Sequence, residues 1–365
     1  MDEIIELRHL LHRNAELSGQ ETVTKQILMD FIKSHTSLQI HDCGKWFYCV
    51  KEGTSGYSIA FRAEMDRLPI PETITLPYGS INPGVSHKCG HDGHSAVLCG
   101  LRLLLDKKEC TDTVYLIFQH AEETGQGARD ICGFVREKGI REIYAFHNLN
   151  GYPENAIVYR HGLSQPASEG LTITFTGKPS HASNPEEGHN PTQAIAETIT
   201  YINNDLLKRE YEGMVLITIV GIKAGNDDFG VSAGKGCLYL TLRAENQSEM
   251  ELIDKLLRTK VKELCLRDTL ECSFSRSDIF PETRNNEKCL HRVIDCAQTL
   301  SLQTIEMNLW RASEDFGSFL QECPGAIFYI GCGEDHPALH TPEYDFNDNI
   351  IPAAVKMFYQ LMTDR

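Results

Sequence analysis

The chain of 365 residues carries 51 Asp and Glu against 35 Lys and Arg, a formal charge of −16, with 41% hydrophobic and 24% charged residues. That balance excludes a disordered, collagen-like or disulfide-stapled mini-protein, and its acidity argues against a non-specific binder of nucleic acid or anionic membrane, which needs a basic stripe. The length exceeds the roughly 250–300 residues at which one hydrophobic core stops growing, so two domains are expected.

In chain order, apolar spacing predicts a helix pair from Glu3 to about Ile32, broken near Leu17-Ser18-Gly19. Ile4, Leu7 and Leu11 share one helical face, and Val23, Ile27, Leu28 and Phe31 another. Ser58–Arg62 reads as a buried strand, and Ser95–Leu105 has Val97, Leu98, Leu101, Leu104 and Leu105 at helical spacing. Thr113–Phe118 and Ile143–Phe146 read as further buried strands. Strands alternating with helices favour an open α/β sheet.

Around Pro166 the pattern changes. Leu171–Thr176 alternates strictly, as a half-exposed strand does. A helix (about Pro191–Leu206), two strands (Val215–Ile222 and Leu238–Arg243), a helix (about Glu249–Leu264) and a strand (Glu271–Ser275) follow. That β-α-β-β-α-β order is the ferredoxin-like split unit. Strand and helix signals resume at Ala326–Ile330 and Ile351–Met362. The expected fold class is α/β: an open, mostly parallel sheet flanked by helices, built from residues 1–165 and 281–365, with a ferredoxin-like α+β domain inserted at 166–280.

The 13 cysteines are odd in number and form no CxxC pair, which argues against a disulfide framework. The opening Met1-Asp2-Glu3-Ile4 lacks the basic-then-apolar order of a secretion signal. No apolar run approaches the ~18–20 residues of a membrane span. These features predict a reduced, cytoplasmic protein without membrane or nucleic-acid partners.

Four polar clusters lie at strand exits. Ser58–Arg62 leads into Glu64-Met65-Asp66, and Ser86 to His94 opens the next helix with Cys89, His91 and His94. Thr113–Phe118 leads into His120-Ala121-Glu122-Glu123, and Ile143–Phe146 into His147. Taken singly, each has an ordinary explanation: a Glu-Glu pair as solvated surface, a His as a helix cap, Cys-Gly-His as a turn over a buried thiol. Ligands of open α/β sheets, however, bind at the carboxyl ends of strands, where all four clusters converge. Thiolate, imidazole and carboxylate together suit Zn²⁺ and its borderline neighbours better than Ca²⁺ or Mg²⁺. Of two adjacent carboxylates, one can bind metal while the other moves protons, the division of labour that metal-assisted hydrolysis needs.

Arg62-Ala63-Glu64-Met65-Asp66-Arg67-Leu68-Pro69 resembles the signature R-A-D-M-D-x-L-P, Cys89 to His94 reproduces C-G-H-D-G-H, and Phe118 to Glu123 resembles F-Q-P-A-E-E. Ser180-His181-Ala182-Ser183, Ser313-Glu314-Asp315-Phe316 and Leu339-His340-Thr341-Pro342 match three further motifs in order. The chain, over nearly its whole length, resembles the co-catalytic metallopeptidases of the aminoacylase/carboxypeptidase type, in the branch of hippurate hydrolase, auxin-conjugate hydrolases and N-acetyldiaminopimelate deacetylase. The resemblance implies two divalent transition-metal ions (Zn, Mn, Co or Ni) held by Cys89, His91, Glu123, His147 and His340. Cys89 would bridge them, His91 and His147 completing one ion, Glu123 and His340 the other. Glu122 would be the general base, and Asp66 would orient a ligand from behind. Asp92 would also support a ligand, while His94 belongs to the start of the helix. His181, on the inserted domain, would donate to the developing oxyanion when the domains close. The inserted domain would also serve homodimerisation through an open strand edge.

Three positions depart from the family pattern. Glu64 replaces an Asp, His120 replaces a Pro beside the expected base, and Gly230 stands where the stretch Phe229 to Gly234 should carry an Asn that reads substrate. Arg243 is a candidate clamp for a substrate carboxylate, or a surface Arg at a strand end. Glu314 and Asp315 are expected to act mainly through helix N-terminal electrostatics, with a secondary part in shaping the site. The expected function is cleavage of the amide bond of N-acyl amino acids or related small amides. Alternatives are a carboxypeptidase or dipeptidase acting on short peptides and a non-catalytic metal-binding homologue. The free carboxylate of Glu122 beside a ligating one speaks against the last.

Overall fold

A computed structural model describes residues 1–106 and 109–364, which divide into two compact units. The first comprises Met1–Ser164, Thr283–Trp310 and the chain from Glu314 on; the second comprises Gln165–Glu282 and Arg311–Ser313.

The chain begins with α1 (Asp2–Arg13) and α2 (Thr22–His35), then β1 (Ile40–Asp42), β2 (Phe47–Lys51) and β3 (Ser58–Glu64). There follow α3 (His91–Asp106), β4 (Thr113–Gln119), α4 (Gly127–Glu137), β5 (Glu142–Leu149), β6 (Ile157–Tyr159) and β7 (Leu163–Gln165). The middle of the chain gives β8 (Ala167–Thr176), α5 (Thr192–Tyr201), β9 (Val215–Ala224), β10 (Lys235–Ala244), α6 (Gln247–Arg267) and β11 (Glu271–Phe280). It ends with β12 (Thr283–Arg284), α7 (Glu287–Thr299), β13 (Thr304–Glu306), α8 (Gly317–Leu320), β14 (Gly325–Gly331) and α9 (Ile351–Thr363).

The first unit holds an eight-stranded sheet in the order β1-β2-β4-β3-β5-β14-β6-β13. Its central run β4-β3-β5-β14 is parallel, and antiparallel pairs β1/β2, β2/β4 and β14/β6 extend it. Alternation along each strand sends side chains to opposite faces, so each face needs its own cover. Phe61, Leu116, Phe118, Tyr144, Phe146 and Phe328 enter one core with residues of α1, α2, α3, α7 and α9. Ala60, Tyr115, Ile117, Ile143, Ala145 and Ile327 enter the other with α4 and α8. Each fully buried Leu or Phe contributes about 1.5–3 kcal/mol, which fixes register: a one-residue slip would exchange the faces.

The second unit is a four-stranded antiparallel sheet in the order β11-β8-β10-β9, the ferredoxin-like arrangement expected from the element order. Leu171, Ile173 and Phe175 of β8 alternate into one core with Leu238, Leu240 and Leu242 of β10. Met250, Ile253, Leu257 and Val261 of α6 and Ala194 and Ile195 of α5 cover that face. The helix expected through Leu206 instead ends at Tyr201 and continues as a π-helical turn, Ile202–Leu206. The wider turn keeps Ile202 and Leu206 both buried. Among the described residues no helix is long and apolar enough to cross a membrane, and all 13 cysteines are free thiols.

Candidate metal centre

The parallel strands deliver their polar exits to one edge of the first unit's sheet. β3 runs two residues beyond the expected end and hands on to Asp66; β4 ends at Gln119, just before His120 to Glu123. β5 continues through His147 to Leu149, because His147 and Asn148 remain buried and paired with β14. Cys89 is separated by Gly90 from His91, the first residue of α3. Glycine is required twice here. Gly90 has φ of 104°, and a Cβ there would collide with Asn148 Oδ1; a Cβ at Gly93 would collide with the Phe346 ring.

Cys89 Sγ lies 3.3 Å from His147 Nε2 and 3.3 Å from His340 Nε2. His91 Nε2 is 3.9 Å from Glu122 Oε2 and 3.9 Å from Glu123 Oε1, and Glu123 Oε1 is 3.7 Å from His340 Nε2. Two donor groups of metal-binding geometry therefore share Cys89: Cys89, His91 and His147, and Cys89, Glu123 and His340. His91, Glu122 and Glu123 form a further group. His91 Nε2 and Glu123 Oε1 are buried without a hydrogen-bond partner, although buried polar atoms are ordinarily paired. With one thiol, three imidazoles and carboxylates, the set fits a pair of divalent ions.

The electrostatics match that fit. Burial, then repulsion from Glu314 and Glu123, pushes the Glu122 carboxyl well above the usual carboxylate range. Burial pushes Glu123 up to about 7 and raises the Cys89 thiol well above its ordinary value. Burial lowers His147 well below the ordinary imidazole range, which makes it a neutral donor; His340, whose side chain is about half exposed, is lowered in the same direction by its buried part and then by His91. Burial opposes a charge on His91 too, but its hydrogen bond to Asp66 outweighs that and raises it to about 10. A cationic pair among these crowded anions would offset what burial penalises.

Asp66 is wholly buried behind these candidate donor side chains. Its carbonyl and Oδ1 lie 3.0 and 3.2 Å from His91 Nδ1, which leaves Nε2 facing the donor group. His147 Nδ1 likewise donates to the Asn148 carbonyl at 2.7 Å. Asp92 does not touch a donor atom; it receives His12 Nδ1 at 2.9 Å and Arg8 at 3.5 Å. His94 lies in the first turn of α3 as expected, but its ring is a buried bridge, 2.9 Å from Glu64 Oε2 and 2.7 Å from Asn148 Oδ1. The added carboxylate reach of Glu64 thus spans Arg62 and His94. His120 does not face Glu122: its Nε2 is 3.4 Å from Asp130 on α4.

The helix N-terminal role expected of Glu314 and Asp315 is present but is not their main one. Glu314 Oε1 does accept the Phe316 N–H at 3.0 Å, but α8 is only four residues long. Asp315 instead caps α4, accepting the Ala128 N–H at 2.9 Å. The main partner of both is Arg62, fully buried in β3, which donates to Glu314 Oε1 at 2.9 Å, to Asp315 Oδ1 at 2.6 Å, and to Glu64 and Gln119. Asp315 N–H points at Glu122 Oε1 at 3.4 Å, so this network stands directly behind Glu122. Arg62 was in plain view in the motif, and a charged residue inside an apolar strand is the signal that it must be paired. Trp310 carried no such signal; its half-buried ring meets His147 edge-on at 5.6 Å.

His181 and Arg243 belong to the second unit. His181 is exposed, and its Nδ1 lies 2.7 Å from Ser183 Oγ and 3.1 Å from Ser183 N, so Nδ1 is engaged within its own loop. Gly230 lies against this loop: its carbonyl accepts the Ala182 N–H at 2.9 Å, beside a bridge between His181 and Val231. Arg243, half-buried on β10, donates to Ser313 Oγ at 2.8 Å.

Residues 60–364 match the family described as Peptidase family M20/M25/M40. The chain belongs to this family. It is 28% identical to N-acetyldiaminopimelate deacetylase of Exiguobacterium sibiricum over 98% of both chains. It is 25% identical to hippurate hydrolase of Campylobacter jejuni over 98% of this chain and 95% of that one. A Bacillus subtilis structure described as a dinuclear metal binding peptidase from the M20 family superposes with a TM-score of 0.83, at 24% identity, over 99% of this chain and 97% of that one. As a family member the chain is a metal-dependent hydrolase of carbon–nitrogen amide bonds.

Proposed function

We propose that this enzyme hydrolyses N-acyl amino acids or related small amides, releasing a carboxylate and an amine. Cys89 would be shared by two ions, Zn²⁺, Mn²⁺, Co²⁺ or Ni²⁺, with His91 and His147 completing one set and Glu123 and His340 the other. Bound there, such ions supply Lewis-acid polarisation of a carbonyl and lower the pKa of water to about 7. Glu122 is the general base: it takes a proton from the attacking water and returns it to the leaving amine. Asp66 keeps His91 in the tautomer that presents Nε2. His181 donates through Nε2 to the oxyanion, and Arg243 receives the substrate carboxylate. The second unit also pairs with a second copy of the chain.

The observation that carries this reading is the thiol of Cys89 at 3.3 Å from two imidazoles, with the Glu122 carboxylate held beside but outside that pair. The names of the relatives favour small acylated amino acids over longer peptides. The test is a panel of N-acetyl and N-benzoyl amino acids and dipeptides, run on the wild type and on Glu122→Gln with metal content measured in parallel. Glu122→Gln is expected to keep its metal and to lose about a hundredfold or more in kcat, the upper part of the usual range for a general base. Loss of metal would instead make Glu122 a ligand, and exclusive cleavage of dipeptides would reassign the substrate.

A further inference from the structure

Ala121, the residue that turns the chain from β4 into Glu122 and Glu123, has φ of 49°. A residue with a side chain adopts this left-handed conformation only under strain, and strain persists only where the surroundings over-determine it. The Ala121 carbonyl accepts the Gln126 and Gly127 N–H groups at 3.2 and 3.1 Å. Its own N–H donates to Glu21 Oε1 at 2.8 Å.

Glu21 comes from the bend between α1 and α2 and is 5% exposed. The same oxygen accepts the Gly19 N–H at 2.8 Å, which fixes the carboxylate in its own bend. The side chain makes no capping bond to α2, so the helix start does not explain why a carboxylate is buried here. From the same bend, Ser18 Oγ donates to Asp66 Oδ2 at 2.7 Å, and that oxygen also accepts the Glu123 N–H at 2.9 Å. One short segment thus holds the Glu122–Glu123 turn at both ends.

Resting on the roles proposed for Glu122 and Glu123, we propose that Glu21 is a positioning residue: its carboxylate oxygen locks Ala121 in the left-handed conformation and thereby aims both carboxylates. Only an acceptor at Oε1 is required. Glu21→Gln retains one and Glu21→Ala does not.

The experiment compares Glu21→Ala, Glu21→Gln, Ala121→Gly and the double variant Glu21→Ala/Ala121→Gly. In Glu21→Ala the turn relaxes, and kcat is expected to fall about ten- to a hundredfold, the scale of an ångström of misplacement, while KM changes by less than about threefold. After dialysis against a weak chelator this variant retains less metal than the wild type, since Glu123 shares the turn. Glu21→Gln stays close to the wild type in both readouts. Glycine takes a positive φ without steric cost, so the double variant recovers most of the lost kcat. A folded Glu21→Ala with wild-type kcat and metal retention overturns the proposal, and so does a folded double variant with no recovery. Should Glu21→Ala fail to fold, Glu21→Asp, one methylene short of Ala121, carries the same comparison. An enzyme inactive on every acyl substrate would sink the proposed function instead. A metal-retention difference between Glu21→Ala and Glu21→Gln would then still test the strut.

Discussion

Cys89 is the residue on which both donor groups depend, because its sulfur is common to them. Cys89→Ala removes a ligand from each group and is expected to retain at most about one of two ions, since two-ligand sites hold a transition metal weakly. Elemental analysis after dialysis reads this directly; a variant with full metal would take Cys89 out of the centre. Cys89 was legible because its partner His91 lies two positions away and a recognisable motif surrounds both. Arg62 was legible as a letter but not as a role, since Glu314 and Asp315 meet it only in the folded chain, 252 and 253 residues away. Arg62→Met leaves Glu64, Glu314 and Asp315 buried without their cation and is expected to destabilise the protein by about 3–5 kcal/mol. A urea-unfolding midpoint close to that of the wild type would show that the three carboxylates take up protons in place of the Arg.

At the scale of elements, α1 and α3 are joined by charge as well as by their apolar faces. His12 of α1 is fully buried, with Nδ1 at 2.9 Å from Asp92 of α3 and Nε2 at 2.9 Å from Glu72. Arg8, one turn earlier, binds Asp345 at 2.8 Å and Asp348 at 2.9 Å, and the His87 ring lies 5.8 Å from that of His12. Burial by itself lowers the His12 pKa, but the hydrogen bonds to Asp92 and Glu72 outweigh it and push it up to about 9. Below the ordinary value of 6.5 both folded and unfolded chains bind the proton, and the contribution to stability is complete. Between 6.5 and about 9 only the folded chain holds it, so stability falls as pH rises and the contribution is gone above about 9. It is on the order of 3 kcal/mol. Urea midpoints measured from pH 6 to pH 9 should therefore slope downward in the wild type, and His12→Gln should remove much of that slope; parallel curves would assign the proton elsewhere. The apolar spacing announced both helices and the break at Leu17-Ser18-Gly19. It was silent about Ser18 and Glu21 inside that break, because a loop residue that bonds to a distant turn leaves no periodicity.

At the scale of the whole molecule, the fold class of each unit followed from the alternation of strands and helices, since buried parallel strands read as continuous apolar runs and the half-exposed β8 reads as strict alternation. The margins of the first sheet, where direction is mixed, were less legible, because β1, β6 and β13 are only three residues long. The second unit leaves two open edges, and their chemistry differs. β11 shows solvent Glu271, Ser273, Ser275, Arg276, Ser277 and Asp278, a polar edge that resists pairing. β9 exposes Val220 at 65% and Ile222 at 52%, apolar and β-branched side chains suited to a cross-strand neighbour. In the proposed pairing of two copies, β9 is therefore the edge that would meet its counterpart. Light scattering on the eluted protein at micromolar concentration should give twice the chain mass of 41.1 kDa for the wild type. Val220→Lys, which places a charge on that edge, should give the single-chain mass with an unchanged circular-dichroism spectrum. A wild type that elutes at the single-chain mass would remove the dimer altogether, and a Val220→Lys that stays paired would move the contact off β9.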